Sequence, residues 1–175
     1  MFIGIGLFNL FGLLYHFFML RMLPPIDYGH LNALITLFMI ISVPASTVQT
    51  TITKFVSTFQ AKNQLDRVKS LLRHLFLVML VIGLSLFLLI SLGSSFISSF
   101  LQISSYRLIL LLGASLFFAM VIPVPWGGLQ GLQKFGSLAL NLILNGGSKC
   151  ILGIVFVSLG LGVSGALSGV VVSYL

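Results

Sequence analysis

Acidic side chains are almost missing from this sequence: of its 175 residues only Asp27 and Asp66 are acidic. General acid/base pairs and acidic metal clusters need several carboxylates in one place. Two aspartates in separate connections do not supply them, which counts against an enzyme of either kind. Cysteine is scarcer still. Cys150 stands alone in an apolar segment, so neither an internal disulfide nor a cysteine-based metal site is available. Charge of either sign is low, at 6% of residues, where a soluble domain carries roughly 25%. A phosphate-cradling G-x-x-x-x-G-K-[ST] loop is also missing, and the glycines of PVPWGGLQG read as a tight turn. No cofactor and no metal are expected.

Hydrophobic residues make up 58% of the chain, and its mean hydropathy is +1.20. Apolar runs of about 18 residues or more need a bilayer rather than a globular core, and several follow one another here. The pattern predicts an all-α, polytopic membrane helix bundle with five full transmembrane helices and the start of a sixth. Residues 2 to 20 lack a basic amino-terminal region and a small-residue cleavage pattern, so they read as a retained spanning helix and not a signal peptide.

The basic residues show how the bundle is threaded. Five of the nine, Lys54, Lys62, Arg67, Lys69 and Arg73, sit around one connection, which is the positive-inside pattern of a cytoplasmic loop and not a nucleic-acid face. FQAKNQLDRVKSLLR, residues 59 to 73, has helical spacing and is expected as a short amphipathic elbow on an anionic leaflet. Lys134 falls in the connection after the fourth segment, while Arg21 and Arg107 border the others. The even-numbered connections are therefore expected to be cytoplasmic, with the amino terminus inside.

In chain order, the first segment carries Asn9 and His16 seven residues apart, on one helical face. Asn9 reads as an inward-facing contact or as an interhelical hydrogen bond, and His16 as inward-facing or interfacial. RMLPPIDYGH is expected to be a short loop, because the two prolines break the helix and Asp27 and Gly29 favour turns. The second segment, about Leu31 to Val56, should kink at Pro44 and continue into a hydroxyl-rich half with Gln49 and Lys54. Lys54 reads equally as a cavity cation or as a side chain snorkelling to the surface. The third segment, about 74 to 99, is nearly uniformly apolar, with a short outer loop expected at Gln102 to Arg107. The fourth ends near Gly128, with Trp126 suited to the interfacial belt.

The most informative stretch is QGLQKFGSLALNLILNGGSK, residues 130 to 149. At about 100° per residue Gln130, Lys134, Ser137, Asn141, Asn145, Ser148 and Lys149 share roughly a third of one helix, opposite Leu138, Ile143, Leu144 and Ile151. Placing a lysine in mid-hydrocarbon costs on the order of 2.5 to 3.5 kcal/mol, so Lys149 is expected to face a cavity or a partner helix. LGLGVSG then reads as a turn into a sixth segment of about eleven residues, too short to span. The chain is expected to be a truncated single transmembrane domain.

Several of these stretches together resemble the oligosaccharide-lipid flippases, the polysaccharide-export branch of the superfamily that also holds the MATE drug exporters. Arg21 to Gly29 is similar to the family's R-x-L-G-P-x-x-Y-G turn, with Pro24 in place of glycine. Thr50 to Ser57 resembles the end of its second helix, Gly128 to Phe135 its G-x-L-Q-G-x-x-R/K-F signature, and Leu159 to Ala166 the turn that follows. The resemblance implies the amino-terminal lobe of an alternating-access transporter in the plasma or inner membrane, not an enzyme. It would move a polyprenyl-linked oligosaccharide, completed by a second lobe or a second copy. On that basis Lys54 and Lys149 would meet the phosphate or pyrophosphate, and Asn9, Gln49, Asn141 and Asn145 the sugar hydroxyls. A MATE-type cation antiporter is the first alternative; the two acids lie in loops and the interior is cationic, which favours an anionic cargo. A non-transporting scaffold, with the polar stripe as interhelical glue, is the second.

Overall fold

A computed structural model describes residues 2–101 and 105–174. Eight α-helices run through it: α1 (Phe2–Met22), α2 (Pro25–Ala61), α3 (Leu65–Leu92), α4 (Ser94–Leu101), α5 (Tyr106–Val121), α6 (Pro123–Gly131), α7 (Phe135–Phe156) and α8 (Gly162–Val172). No strand occurs among the described residues. Five stretches are long and apolar enough to cross a membrane: 2–22, 25–61, 65–92, 106–131 and 135–172. The last includes a reversal. Gly160 at φ 84° and Gly162 at φ 52° break it just past α7, and only glycine enters such conformations without steric cost.

Several connections are shorter than the sequence led us to expect. Pro25 opens α2 at its first position, where a proline's missing N–H costs nothing, so Asp27 and Gly29 lie in the first turns of a helix and not in a loop. The expected elbow at 59–73 does not form as a separate piece. α2 runs to Ala61, α3 begins at Leu65, and a three-residue turn with Asn63 at φ 54° joins them. Pro44 sits inside α2 with helix on both sides; the side-chain hydroxyls of Ser42, Ser46, Thr47's neighbours Thr50 and Thr51, and Thr53 donate back to carbonyls three or four residues earlier. Of the outer loop expected at Gln102 to Arg107, residues 102–104 lie outside the described residues, and Tyr106 and Arg107 already belong to α5.

Glycines set the helix contacts, because in a membrane close backbone approach replaces the hydrophobic drive. α1 lies parallel to α7: a Cβ on Gly4 would come within 2.7 Å of Ala139, and one on Gly146 within 3.1 Å of Phe8. α6 lies parallel to α2, with Gly127 against Ile52 and Gly131 against Val56. The PVPWGGLQG stretch is therefore helix α6 and not a turn; its glycines serve packing. α3 and α5 are antiparallel, Gly83 meeting Phe117 and Gly113 meeting Phe87. α8 folds back along α7, Gly169 against Gly153. The main core gathers Tyr15, Met19, Leu31, Leu34, Ile109, Leu112 and Leu116 with Ala166 and Leu167.

This packing puts both short turns, 62–64 and 132–134, at one end of the bundle. Lys62, Arg67, Lys69, Arg73 and Lys134 are exposed there, and exposed Arg21 and Arg107 are at the other end.

Candidate functional site

The polar stripe that stands out in the sequence is divided by the fold. Gln130 ends up on α6 and Lys134 at the turn before α7, because Gln133 takes φ 58° and breaks the helix. On α7 itself Asn141, Asn145, Ser148 and Lys149 remain on adjoining positions of one side. Leu138, expected opposite this stripe, is only 2% exposed, because it stands seven residues before Asn145 and so shares its inward side of α7. Leu144 and Ile151 are 61% and 62% exposed, with Leu144 on the same cavity wall as Asn141.

Lys149 is held from α1. Its Nζ lies 4.7 Å from the centroid of the Tyr15 ring, a distance at which a cation is attracted to the aromatic face. Tyr15 is fully buried, and its hydroxyl donates to the Ala166 carbonyl at 3.1 Å. Gly153 makes room for it: a Cβ there would stand 2.7 Å from the ring. Lys149 also lines a small internal cavity of about 70 Å³ with His16, Ser115 and Tyr174. Neither acid of the chain is near this depth. Asp27 and Asp66 sit in the first turns of α2 and α3.

A larger cavity of about 490 Å³ opens between α6, α7 and the end of α8, and Asn141, Asn145 and Ser148 are on its wall. The Asn145 amide donates to the Ser173 carbonyl at 2.8 Å, and Ser148 returns its proton to Leu144 at 2.6 Å, so Asn141 is the exposed polar group there. A third cavity, of about 170 Å³, is walled by Ser42, Ser46 and Gln49 of α2 facing Trp126. Gln49 Nε2 donates to Gln130 Oε1 at 3.3 Å, and Thr53 stands 3.4 Å from the same oxygen. Tyr174 borders all three cavities and stacks on Phe118, with ring centroids 6.5 Å apart.

Of the six residues singled out for binding, the fold thus brings Asn141 and Asn145 together on one cavity, with Gln49 and Lys149 on adjacent ones. Lys54 and Asn9 are exposed on α2 and α1 and belong to none of these cavities. Lys54 follows Met39, a wall residue of the Lys149 cavity, by fifteen positions on α2, roughly 22 Å along the axis. The two lysines are too far apart to hold one phosphate between them. Tyr15 and Tyr174 escape a reading of the sequence because a tyrosine within an apolar stretch carries no periodic polar signal. Among the described residues no three His, Cys, Asp or Glu gather as a metal group.

No protein-family model matches the chain, and no curated protein does. Its fold does match solved structures. One is a multidrug resistance MATE family transporter of the MOP superfamily in an outward-facing conformation, at TM-score 0.87 and 18% identity over 99% of this chain. Another is a MOP superfamily transporter from Pyrococcus furiosus, whose binding pocket of reverse polarity suggests a different function, at TM-score 0.85 and 18% identity over 98% of this chain. The helices and this likeness define a multi-pass membrane protein of all-α, MATE/MOP-like fold. The chain spans about two-fifths of each of those structures, 40% and 39%.

Proposed function

We propose that this chain forms the amino-terminal lobe of a transporter that carries a polyprenyl-linked oligosaccharide across the plasma membrane by alternating access. The observation that carries the reading is Lys149, a cation drawn into the bundle with no acid of its own chain at that depth. A membrane-embedded cation is costly unless paired, and the pairing anion here has to come from outside the chain. The phosphate or pyrophosphate of a lipid carrier provides one, and lysine binds phosphate as a point charge. Exposed Lys54 adds a second cation further along α2, and Asn9 and Gln49 supply amides to sugar hydroxyls. The cation-rich turns at one end support a cytoplasmic placement of that end, and of the amino terminus with it. A second lobe or a second copy completes the path. A MATE-type cation antiporter fits less well, because the interior charge is positive.

The test is export of the lipid-linked glycan by the complete transporter. Lys149→Gln should abolish export at normal membrane abundance, and Lys149→Arg should restore part of it. Unchanged export by Lys149→Gln would remove the cationic contact from the mechanism.

A further inference from the structure

An open groove of about 590 Å³ runs between α2 and α3, walled by Val43, Pro44, Thr47 and Thr51 on one side and by Leu75 and Met79 on the other. Its lining is almost wholly apolar. The two helices run back antiparallel from the 62–64 turn and keep register: Thr51 and Leu75 are each twelve residues from Asn63, and Thr47 and Met79 each sixteen. Ile52 forms the base of the groove and clusters with Val124 of α6. Val43, on the wall, is 63% exposed.

Two cations stand at the end of this groove that is nearer the turn. Lys54 follows Thr47 by seven residues and so continues the same stripe of α2, about 4.5 Å beyond Thr51 along the axis. Its side chain is exposed. Arg73, ten residues from Asn63 where Lys54 is nine, is exposed at the same depth on α3. From Leu75 to Leu92 α3 carries no charged residue, so Arg73 marks the hydrocarbon boundary, and Lys54 shares it. Asp66, in the first turn of α3, is about 10 Å nearer the turn than Arg73. An apolar furrow within the hydrocarbon, with cations at the headgroup level, complements an amphiphile of the same layout.

We propose that the α2–α3 groove binds an anionic phospholipid of the leaflet at the basic end of the bundle. One acyl chain lies along Thr47, Thr51 and Met79, and the phosphate sits at Lys54 and Arg73, the lysine acting as a point charge and the arginine as a two-pronged donor. Basic pockets between transmembrane helices select anionic headgroups in this way. A zwitterionic lipid fills the furrow equally well but brings a cation of its own to the two basic side chains. The transport reading rests on Lys149, which lies outside this groove, so either can fail without the other.

Lipid retention by the purified protein tests the site, measured by native mass spectrometry in titrations with phosphatidylglycerol and with phosphatidylcholine. Phosphatidylglycerol should bind more tightly. Lys54→Gln, a change on an exposed side chain, should weaken its binding about fivefold, the effect of one lysine near an anionic lipid surface. Lys54→Arg should keep it. Thr47→Trp, which fills the furrow and leaves both cations in place, should weaken it as well, whereas Lys62→Gln, in the turn, should leave it unchanged. Equal affinity for the two lipids, full binding by Lys54→Gln or by Thr47→Trp, or an equal loss in Lys62→Gln would overturn the proposal, the last by making the basic end a diffuse charged surface and not a site.

Discussion

The ammonium of Lys149 sits 4.7 Å from the Tyr15 ring centroid, and the hydroxyl of the same tyrosine donates to Ala166. One side chain of α1 thus steadies a cation on α7 and the backbone of α8. A desolvated cation–π contact is worth about 2 kcal/mol, and a neutral hydrogen bond about 1 kcal/mol net. Tyr15→Phe keeps the first and loses the second, so it should cost about 1 kcal/mol. Tyr15→Leu loses both and should cost clearly more. Denaturant unfolding in detergent measures the difference; equal losses would contradict the arrangement.

Gly169 and Gly6 should respond to alanine in opposite ways. A Cβ on Gly169 would stand 2.6 Å from the Gly153 nitrogen, backbone against backbone, and overpacking of this kind costs about 1–3 kcal/mol. Gly6 has nothing within 4 Å of its Cβ position, so Gly6→Ala gains helix propensity of up to about 1 kcal/mol. Thermal melting should show Gly169→Ala falling and Gly6→Ala unchanged or rising.

Gly160 makes the reversal between α7 and α8 at φ 84°. A left-handed conformation costs a residue with a Cβ about 1–2 kcal/mol, and asparagine tolerates it better than a β-branched residue does. The order of stability should be wild type, then Gly160→Asn, then Gly160→Val. A Gly160→Val protein as stable as wild type would mean that the chain does not turn there.

The Gln49 to Gln130 hydrogen bond joins α2 to α6. Interhelical polar contacts in membrane proteins average about 0.6 kcal/mol in double-mutant cycles. Gln49→Leu and Gln130→Leu should therefore be coupled by about that amount. Gln49→Leu and Asn9→Leu, on separate helices without a shared partner, should be additive.

How far the sequence reaches can be judged residue by residue. The spans are legible because twenty apolar residues have no soluble alternative, and Lys149 is conspicuous because a lysine in hydrocarbon is expensive. The helix ends are less legible. Prolines and glycines announce a break in RMLPPIDYGH and PVPWGGLQG alike, yet Pro25 begins a helix and Gly127, Gly128 and Gly131 lie inside or at the end of one. The same residue types serve turns and close packing, and only the neighbour decides between them. Gln130 shows the limit of periodicity: it shares an angular position with Asn141 only if one helix joins them, and Gln133 ends that helix.

The sequence by itself determined the solvent of this protein, its helical class, the number of its spans and the sign of its interior charge, since these follow from composition and run length. The tertiary structure decided which polar groups meet. It left Lys54 on α2 outside the cavity that Lys149 lines from α7, brought Tyr15 under Lys149, and carried Tyr174 to the junction of three cavities. Those outcomes depend on which glycine faces which helix, a relation between residues far apart in the chain that no local pattern records.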